Sequence, residues 1–353
     1  MPTLQDPIRI GAWNLPNRII MAPLTRCRAS EGRVPNELMK DYYVQRASAG
    51  LILTEATSIS PMGVGYPDTP GIWSDAQVAG WKNITNAVHN VGGRIVLQLW
   101  HVGRISDPAY LNRETPVAPS AIASEGTVSL LRPKKPFVVP RALERSEIPQ
   151  IVTEYQKASE NAMRAGFDGV ELHGANGYLL DQFLQDDSNT RTDDYGGTVE
   201  NRARLMLEAV DAAIGVWGAD RVGLHIAPKG GSHSMHDSKP AATFGYVARE
   251  MGKRRIAFIC ARESMAEPFY GKALKEAFGG PYVMNQELTR ETGDAALASG
   301  NADAVAFGRL FIANPDLPVR FAKKAELNIP DTGTFYAPGA KGYVDYPALS
   351  AES

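Results

Sequence analysis

Short apolar segments alternate with longer amphipathic segments along almost the whole chain. The apolar segments are nearly continuous in Val, Ile and Leu, and each ends in polar or small residues. They span residues 18–23, 51–56, 94–99, 169–174, 221–228, 255–261, 281–285 and 303–308. Runs of this kind are typical of parallel strands that are buried on both faces.

The segments between these runs predict helices. Two of them end at clear stop signals, Gly50 and Gly166. The predicted helices span residues 36–49, 77–90, 147–165, 200–217, 243–252, 270–278, 289–299 and 315–325. Eight β/α repeats predict an α/β fold, a single (β/α)8 TIM barrel domain over residues 1–353. The alternative, a doubly wound sheet, usually has fewer strands and splits into two units.

Two segments do not belong to the repeat. Residues 101–146 follow the third strand and are rich in Pro, Ser and Ala. Because a connection of that length is more often functional than slack, we predict a lid or cap excursion there. The tail 327–353 has little periodicity, and we expect it to pack over the barrel.

Composition narrows the possible functions. The chain has 353 residues, a formal net charge of −2 and no basic block, so nothing favours nucleic acid or a membrane surface as a partner. It has no apolar stretch of about 18 residues and no secretory signal pattern. Cys27 and Cys260 are too few for a disulfide framework or a thiolate metal site. We expect a cytoplasmic protein.

The carboxyl ends of barrel strands carry the chemistry in this architecture. The eight predicted ends are Thr25, Ala56–Thr57, Gln98, His173, His225, Ala261, Asn285 and Gly308–Arg309. They lack the paired carboxylates that two-metal hydrolases and glycosidases need, so no metal site is predicted. Glu171 points to the same side as His173 and is expected to be a buried supporting group. A polar rim that bears amides suits a planar heteroaromatic ligand.

Six segments together resemble one family. They are "MAPLTR" (21–26), "GIWS" (71–74), "QLWHVGR" (98–104), "GFDGVELHGANGYLLDQFL" (166–184), "DDYGGTVENRARL" (193–205) and "FGRLFIANPDL" (307–317). In this order and spacing they resemble the Old Yellow Enzyme family of FMN-dependent ene-reductases, and look most like its classical bacterial type. The resemblance covers about residues 3–347. It implies tightly bound, non-covalent FMN and NADPH or NADH as the hydride donor.

The resemblance also implies contacts to FMN. Thr25 would hydrogen-bond the flavin O4, and Gln98 would bind the pyrimidine edge. Gly308 and Arg309 would hold the phosphate, which is chemically sensible because backbone N–H groups and a guanidinium fork suit that anion. The alternative for this pair is a strand-to-helix turn with a surface arginine. The remaining implied cofactor contacts are Pro23, Leu24, Ala56, His225 and Asn285.

On the substrate side, the resemblance gives roles to the cluster in "HGANGY". His173 and Asn176 would donate hydrogen bonds to the carbonyl or nitro oxygen of an electron-poor alkene. Reduced flavin would supply a hydride from N5, and Tyr178 would deliver a proton from the opposite face. NAD(P)H would reduce the flavin first and leave, in a ping-pong cycle. Tyr66, Trp100 and Tyr336 would line the pocket, although all of these aromatic residues could instead be ordinary packing.

Two positions depart from the family pattern. His225 stands where relatives usually have an arginine beside the flavin N1–C2 edge. A histidine is charged only when protonated, so we hypothesise that the stability of the reduced flavin depends on pH. Lys229 is a second candidate for that charge. Gln286 and Glu287 replace glycines that let the backbone approach the phosphate in many relatives. Cys27 is expected to serve packing.

Two other functions remain as alternatives to an ene-reductase. One is a metal-assisted hydrolase or lyase that uses His173 and His225, although the sequence offers few acidic ligands. The other is a flavin-binding barrel of low turnover. The sequence leaves open the physiological alkene, the choice between NADH and NADPH, and whether the protein is a monomer or a homodimer.

Overall fold

Eight parallel strands form a closed barrel in the computed structural model, which describes residues 1–349. The strands of the described chain are β1 (Ile8–Ile10), β2 (Trp13–Leu15), β3 (Ile19–Met21), β4 (Leu51–Leu53), β5 (Thr57–Ser58), β6 (Ile95–Trp100), β7 (Val117–Ala118), β8 (Arg141–Ala142), β9 (Gly169–Gly174), β10 (Val222–Ile226), β11 (Phe258–Arg262), β12 (Tyr282–Asn285) and β13 (Ala304–Phe307). The barrel runs β3, β4, β6, β9, β10, β11, β12, β13 and back to β3. The predicted (β/α)8 barrel is therefore confirmed.

Helices lie between the barrel strands, as the amphipathic segments predicted. They are α1 (Glu37–Gln45), α2 (Asp75–Asn90), α3 (Ile148–Arg164), α4 (Leu179–Leu184), α5 (Val199–Trp217), α6 (Pro240–Arg254), α7 (Gly271–Phe278), α8 (Arg290–Ala298), α9 (Arg309–Ala313) and α10 (Leu317–Lys323). The sequence did not predict the short helices α4 and α9. Helix α4 has six residues, all of them buried, so it is too short to show the repeated amphipathic pattern by which the longer helices were predicted.

An antiparallel hairpin that the sequence also did not predict precedes the barrel. Strands β1 and β2 pair, and Ile10, Trp13 and Leu15 are buried against residues of the barrel interior such as Leu53 and Phe258. The hairpin thus covers the end of the barrel where the strands begin. No helix among residues 1–349 combines the length and apolar character needed to cross a bilayer.

The register of the barrel strands sets which side chains share a level inside it. Gln98 is opposite Glu171, His173 is opposite His225, and His225 is opposite Cys260. Because side chains alternate along a strand, these inward residues face one another across three neighbouring strand pairs. Glu171 and His173 are two residues apart on β9, so these pairs lie at two successive inward levels, the second of them close to the carboxyl end of that strand.

Residues 101–146 form an excursion between β6 and α3. Strands β7 and β8 pair within it, and Val128 and Phe137 pack in one apolar cluster with Trp100 and Tyr178. The excursion therefore forms part of the wall behind the predicted site, and its action as a lid stays a prediction.

The carboxyl-terminal tail packs on the barrel, as far as residue 349. Arg26 and Arg28 donate hydrogen bonds to main-chain oxygens of the tail, among them those of Phe335 and Gly342. The rings of Tyr42 and Tyr343 stack 4.1 Å apart. Through these contacts the tail lies beside the mouth of the barrel. Residues 350–353 of the predicted tail lie outside the described residues.

Candidate active site

A cavity of about 620 Å³ opens at the carboxyl ends of the barrel strands. It brings together the fifteen residues to which the family resemblance gives a role, whereas the predicted strand ends Thr57 and Ala261 do not line it. The fifteen are Pro23, Leu24, Thr25, Ala56, Tyr66, Gln98, Trp100, His173, Asn176, Tyr178, His225, Asn285, Gly308, Arg309 and Tyr336. Lys229 does not line the cavity, since its amino group bonds to the main-chain oxygen of Ser264 instead, so it is not a second source of charge there.

Three buried side chains form a polar floor. Gln98 Nε2 donates a hydrogen bond to Glu171 Oε2 at 2.8 Å, and Glu171 Oε1 lies 3.5 Å from His225 Nδ1. Glu171 is thus the buried supporting group that its spacing from His173 predicted.

Glu171, His225 and Cys260 also meet the geometric requirement of a metal site. Each offers one ligand atom, and these atoms lie within 4.8 Å of one another. However, burial and then the charge of Glu171 raise the pKa of the Cys260 thiol well above its usual value. A metal would have to displace the thiol proton in order to bind there, because the thiolate is the form that ligates metals.

The floor contains polar atoms that suit the edge of a flavin. Gln98 Oε1 and both ring nitrogens of His225 are buried, and none has a hydrogen-bond partner within residues 1–349. Buried polar groups are normally satisfied, so these atoms fit a ligand that carries donors and acceptors along one edge. A pyrimidine ring has such an edge.

A different part of the cavity suits a phosphate. Gly308 and Arg309 follow β13 directly, and a Cβ atom on Gly308 would lie only 3.3 Å from Leu24 Cδ2. The missing side chain therefore leaves room for close approach to the backbone. Arg309, which is exposed, lies beside it in the cavity lining and could add its guanidinium to the same anion. The residues present fit FMN at both ends.

His173 is a neutral hydrogen-bond donor. Burial lowers its pKa well below the usual value, and the nearby His225, Arg262 and His233 lower it further. The N–H of Ala175 donates to His173 Nδ1 at 3.4 Å. Because a neutral imidazole carries one proton, the proton must then be on Nε2, and this atom is the donor available to a ligand.

Asn176 is held from two sides. Its backbone has a φ of 59°, in the left-handed region, and its main-chain oxygen accepts a hydrogen bond from His233 Nδ1 at 2.7 Å. Its side-chain Oδ1 accepts from Arg262 Nη1 at 2.8 Å. An arginine can only donate, so this contact fixes which end of the amide is oxygen. The Asn176 Nδ2 group has no acceptor among the described residues and remains free to donate.

Tyr178 carries a protonated phenol. Burial, and then the neighbouring Tyr66, raise its pKa well above the usual value. The two hydroxyl groups are 2.9 Å apart. The Tyr178 ring makes edge contacts with Trp100 and His173, at centroid distances of 5.0 and 4.9 Å. The aromatic contacts fix the phenol next to His173, in the cavity that Asn176 also lines.

The sequence did not predict two residues of this group. Arg262 was missed because the sixth strand was predicted to end at Ala261, whereas β11 extends one residue further. An arginine directly after an apolar run was the available signal. His233 comes from the loop after β10, 57 positions from Asn176, and no pattern in the sequence marks it.

The loop after β12 keeps an unusual backbone. Gln286 has a φ of 105° and Glu287 a φ of 56°, and both line the cavity near Asn285. Glycine adopts such angles without strain, whereas other residues do so rarely. The chain therefore retains a glycine-like loop conformation although neither residue is glycine.

Comparisons with known proteins identify the family of this chain. The model of the NADH:flavin oxidoreductase / NADH oxidase family matches residues 3–328. Flavin oxidoreductase hxnT of Emericella nidulans is 42% identical over 98% of this chain and 97% of its own length. The 12-oxophytodienoate reductase 1 of Oryza sativa subsp. japonica is also 42% identical, over 98% of this chain and 93% of its own length.

Solved structures show the same similarity. The Old Yellow Enzyme homologue from Zymomonas mobilis superposes with a TM-score of 0.96 at 47% identity, covering 99% of this chain and 100% of its own. Morphinone reductase in complex with tetrahydroNAD gives a TM-score of 0.97 at 48% identity, with 100% and 99% covered. With FMN as its cofactor and a nicotinamide coenzyme as its reductant, the chain is an NAD(P)H-dependent flavin oxidoreductase of the NADH:flavin oxidoreductase / NADH oxidase family, the Old Yellow Enzymes.

Proposed function

We propose that the protein is an ene-reductase, which reduces the C=C bond of α,β-unsaturated carbonyl or nitro compounds. One observation carries this proposal. Two neutral donors, His173 Nε2 and Asn176 Nδ2, are available next to the protonated phenol of Tyr178. Relatives named as morphinone reductase and 12-oxophytodienoate reductase also support a reductase.

The two donors would bind the oxygen of the activating group. When a hydride adds to the β-carbon of the alkene, negative charge develops on this oxygen. Donors whose positions are fixed beforehand stabilise that charge more than they stabilise the neutral substrate. Because neither donor depends on a protonated histidine, binding of the oxygen should not be lost as the pH rises through neutrality.

Tyr178 would deliver the proton to the α-carbon. Its raised pKa keeps the phenol protonated over the neutral range, and the hydroxyl of Tyr66 holds its oxygen at 2.9 Å. Tyr66, Trp100 and Tyr336 would shape the pocket around the alkene. Tyr336 is half exposed and stands at the mouth of the cavity.

The cofactor would lie along the floor. When bound, FMN takes a hydride from NAD(P)H and passes it to the alkene. Thr25, Gln98 and His225 would hold its ring system by hydrogen bonds. Gly308, Arg309 and the backbone near Asn285 would hold its phosphate, while Pro23, Leu24 and Ala56 would contact the ring.

The test is a spectroscopic titration of the purified protein. We expect a yellow protein whose flavin absorbance bleaches with NADPH or NADH under anaerobic conditions and returns when 2-cyclohexenone is added. A yellow protein that neither coenzyme bleaches would favour the flavin-binding barrel of low turnover. A colourless protein that needs a divalent metal for hydrolase or lyase activity would refute the proposal.

A further inference from the structure

One arginine in the cavity has only a supporting part in the function proposed above, since it orients the Asn176 amide. Arg262 is the last residue of β11, two positions after Cys260, so its side chain lies on the inward side of the strand. It lines the cavity together with His173, Asn176 and Tyr178. Of the two arginines among the described lining residues, Arg309 is assigned to the phosphate of FMN. Arg262 is the other.

The guanidinium of Arg262 keeps most of its hydrogen-bonding capacity. Its one hydrogen bond to another described residue is from Nη1 to Asn176 Oδ1, and none of the ion pairs within residues 1–349 includes it. A guanidinium has five N–H donors, so several remain for a ligand. The single carboxylate among the described lining residues, Glu287, is exposed and lies on the loop after β12.

The contact with Asn176 places this charge next to the substrate oxygen. Asn176 Oδ1 and Nδ2 belong to one amide group, so a carbonyl oxygen bound at Nδ2 would be one amide away from the guanidinium. An anionic group a few bonds from the activating carbonyl would therefore reach Arg262 while the carbonyl stays on its donors. Carboxylates match the planar fork of an arginine especially well.

We propose that Arg262 is a specificity-determining residue that selects alkenes carrying a carboxylate in addition to the activating carbonyl group. This inference rests on the proposed ene-reductase function. Neutral alkenes bind through His173 and Asn176 alone, whereas an anionic alkene gains a charge-assisted hydrogen bond from the guanidinium of Arg262. The same guanidinium chemistry would also suit a phosphate of NAD(P)H, so the experiment separates the two sources of negative charge.

The test compares a matched pair of substrates, acetylacrylate and its methyl ester, in the FMN-loaded enzyme. In Arg262→Gln, the ratio of kcat/KM for the acid to that for the ester should fall by about ten- to a hundredfold, the range expected for a hydrogen bond to a charged group. Arg262→Lys keeps the charge and should restore part of the ratio. Lys272→Gln removes one positive charge from an exposed surface position and should leave the ratio unchanged.

Binding of unreactive analogues provides a readout that does not need turnover. Levulinate should perturb the flavin absorbance of the oxidised enzyme at lower concentrations than methyl levulinate, and Arg262→Gln should remove this preference. An equal loss for acid and ester would overturn the inference, because Arg262 would then act only by holding Asn176. A raised KM for NADPH with an unchanged acid-to-ester ratio would also overturn it and assign the guanidinium to the coenzyme.

The two proposals fail in different ways. If levulinate binding depends on Arg262 but the wild-type enzyme reduces neither acetylacrylate nor its ester, the ene-reductase function is refuted and the anion site stands. If the enzyme reduces both alkenes with no preference that Arg262 controls, the ene-reductase function stands and the anion site is refuted.

Discussion

Replacing His225 by arginine should change how the flavin potential depends on pH. His225 lies on the floor of the cavity with both ring nitrogens unpaired among the described residues, and it is 5% exposed. The groups that face it are Glu171 at 3.5 Å, the His173 ring at a centroid distance of 5.6 Å, and Cys260 on the next strand. Arg262 adds positive charge nearby, on the same strand as Cys260.

Two opposing energies act on a protonated ring at this position. At 3.5 Å from Glu171, a protonated His225 would gain roughly 5 kcal/mol at an effective dielectric constant of about 20. Burial of the charged ring costs several kcal/mol in the opposite direction. Additional negative charge on the reduced cofactor would shift this balance toward the protonated ring.

Proton uptake coupled to reduction changes the slope of the midpoint potential against pH by a measurable amount. One extra proton taken up with two electrons makes the midpoint potential fall by about 30 mV more for each unit of rising pH. Arginine is charged at all accessible pH values and takes up no proton. We therefore expect the slope in His225→Arg to be shallower than in the wild type by about 30 mV per pH unit within the range where His225 takes up its proton.

The assay is anaerobic reductive titration of the FMN-bound protein against reference dyes, at several values between about pH 6 and 9. His225→Gln, which is neutral at every pH, should show the same shallow slope as His225→Arg but a lower potential, because it supplies no positive charge. Plots of midpoint potential against pH that run parallel for wild type and His225→Arg would refute the reasoning, since His225 would then not exchange a proton on reduction.

Three further substitutions test other parts of the site. Asn176→Ala removes one hydrogen-bond donor and should lower the rate of alkene reduction by about 10²- to 10³-fold in stopped-flow measurements. Flavin reduction by NADPH should change much less. Equal effects on both steps would contradict the role of Asn176 as a hydrogen-bond donor to the substrate oxygen. Tyr178→Phe should slow reoxidation by 2-cyclohexenone by about 10²- to 10⁴-fold, and a rate near that of the wild type would mean that another group supplies the proton. Gln286→Gly should stabilise the FMN-bound protein by about 1 kcal/mol in denaturant unfolding, because a φ of 105° strains a side chain but not glycine. Gln286→Ala keeps the strain and should not stabilise the protein. Equal stability of Gln286→Gly and Gln286→Ala would argue against strain in this loop.

The barrel and the strand-end residues of its cavity could be predicted because each depends on a local pattern, whereas the remaining lining residues followed only from the family resemblance. Strands buried on both faces have continuous apolar runs, and residues just after such runs must meet at one end of a barrel. Helix α4 was not predicted because its six residues make less than two turns, too few for a repeating amphipathic pattern. The hairpin of β1 and β2 escaped because its strands have three residues each.

The orientation of the hydrogen-bonding groups could not be predicted, because it depends on contacts between distant segments. Which nitrogen of His173 carries the proton follows from the position of the Ala175 N–H. The direction of the Asn176 amide follows from Arg262, 86 positions away in the chain. Lys229 shows the converse, since it is near His225 in sequence but bonds to the loop after β11.

Product analysis in a single turnover tests the ene-reductase assignment most directly. Enzyme whose FMN has been reduced with one equivalent of NADPH would be mixed anaerobically with 2-cyclohexenone, and the products would be quantified. We expect one equivalent of cyclohexanone for each flavin that regains its yellow absorbance, with no allylic alcohol. Flavin that remains bleached, or that is reoxidised without forming cyclohexanone, would contradict the assignment of this site to reduction of C=C bonds.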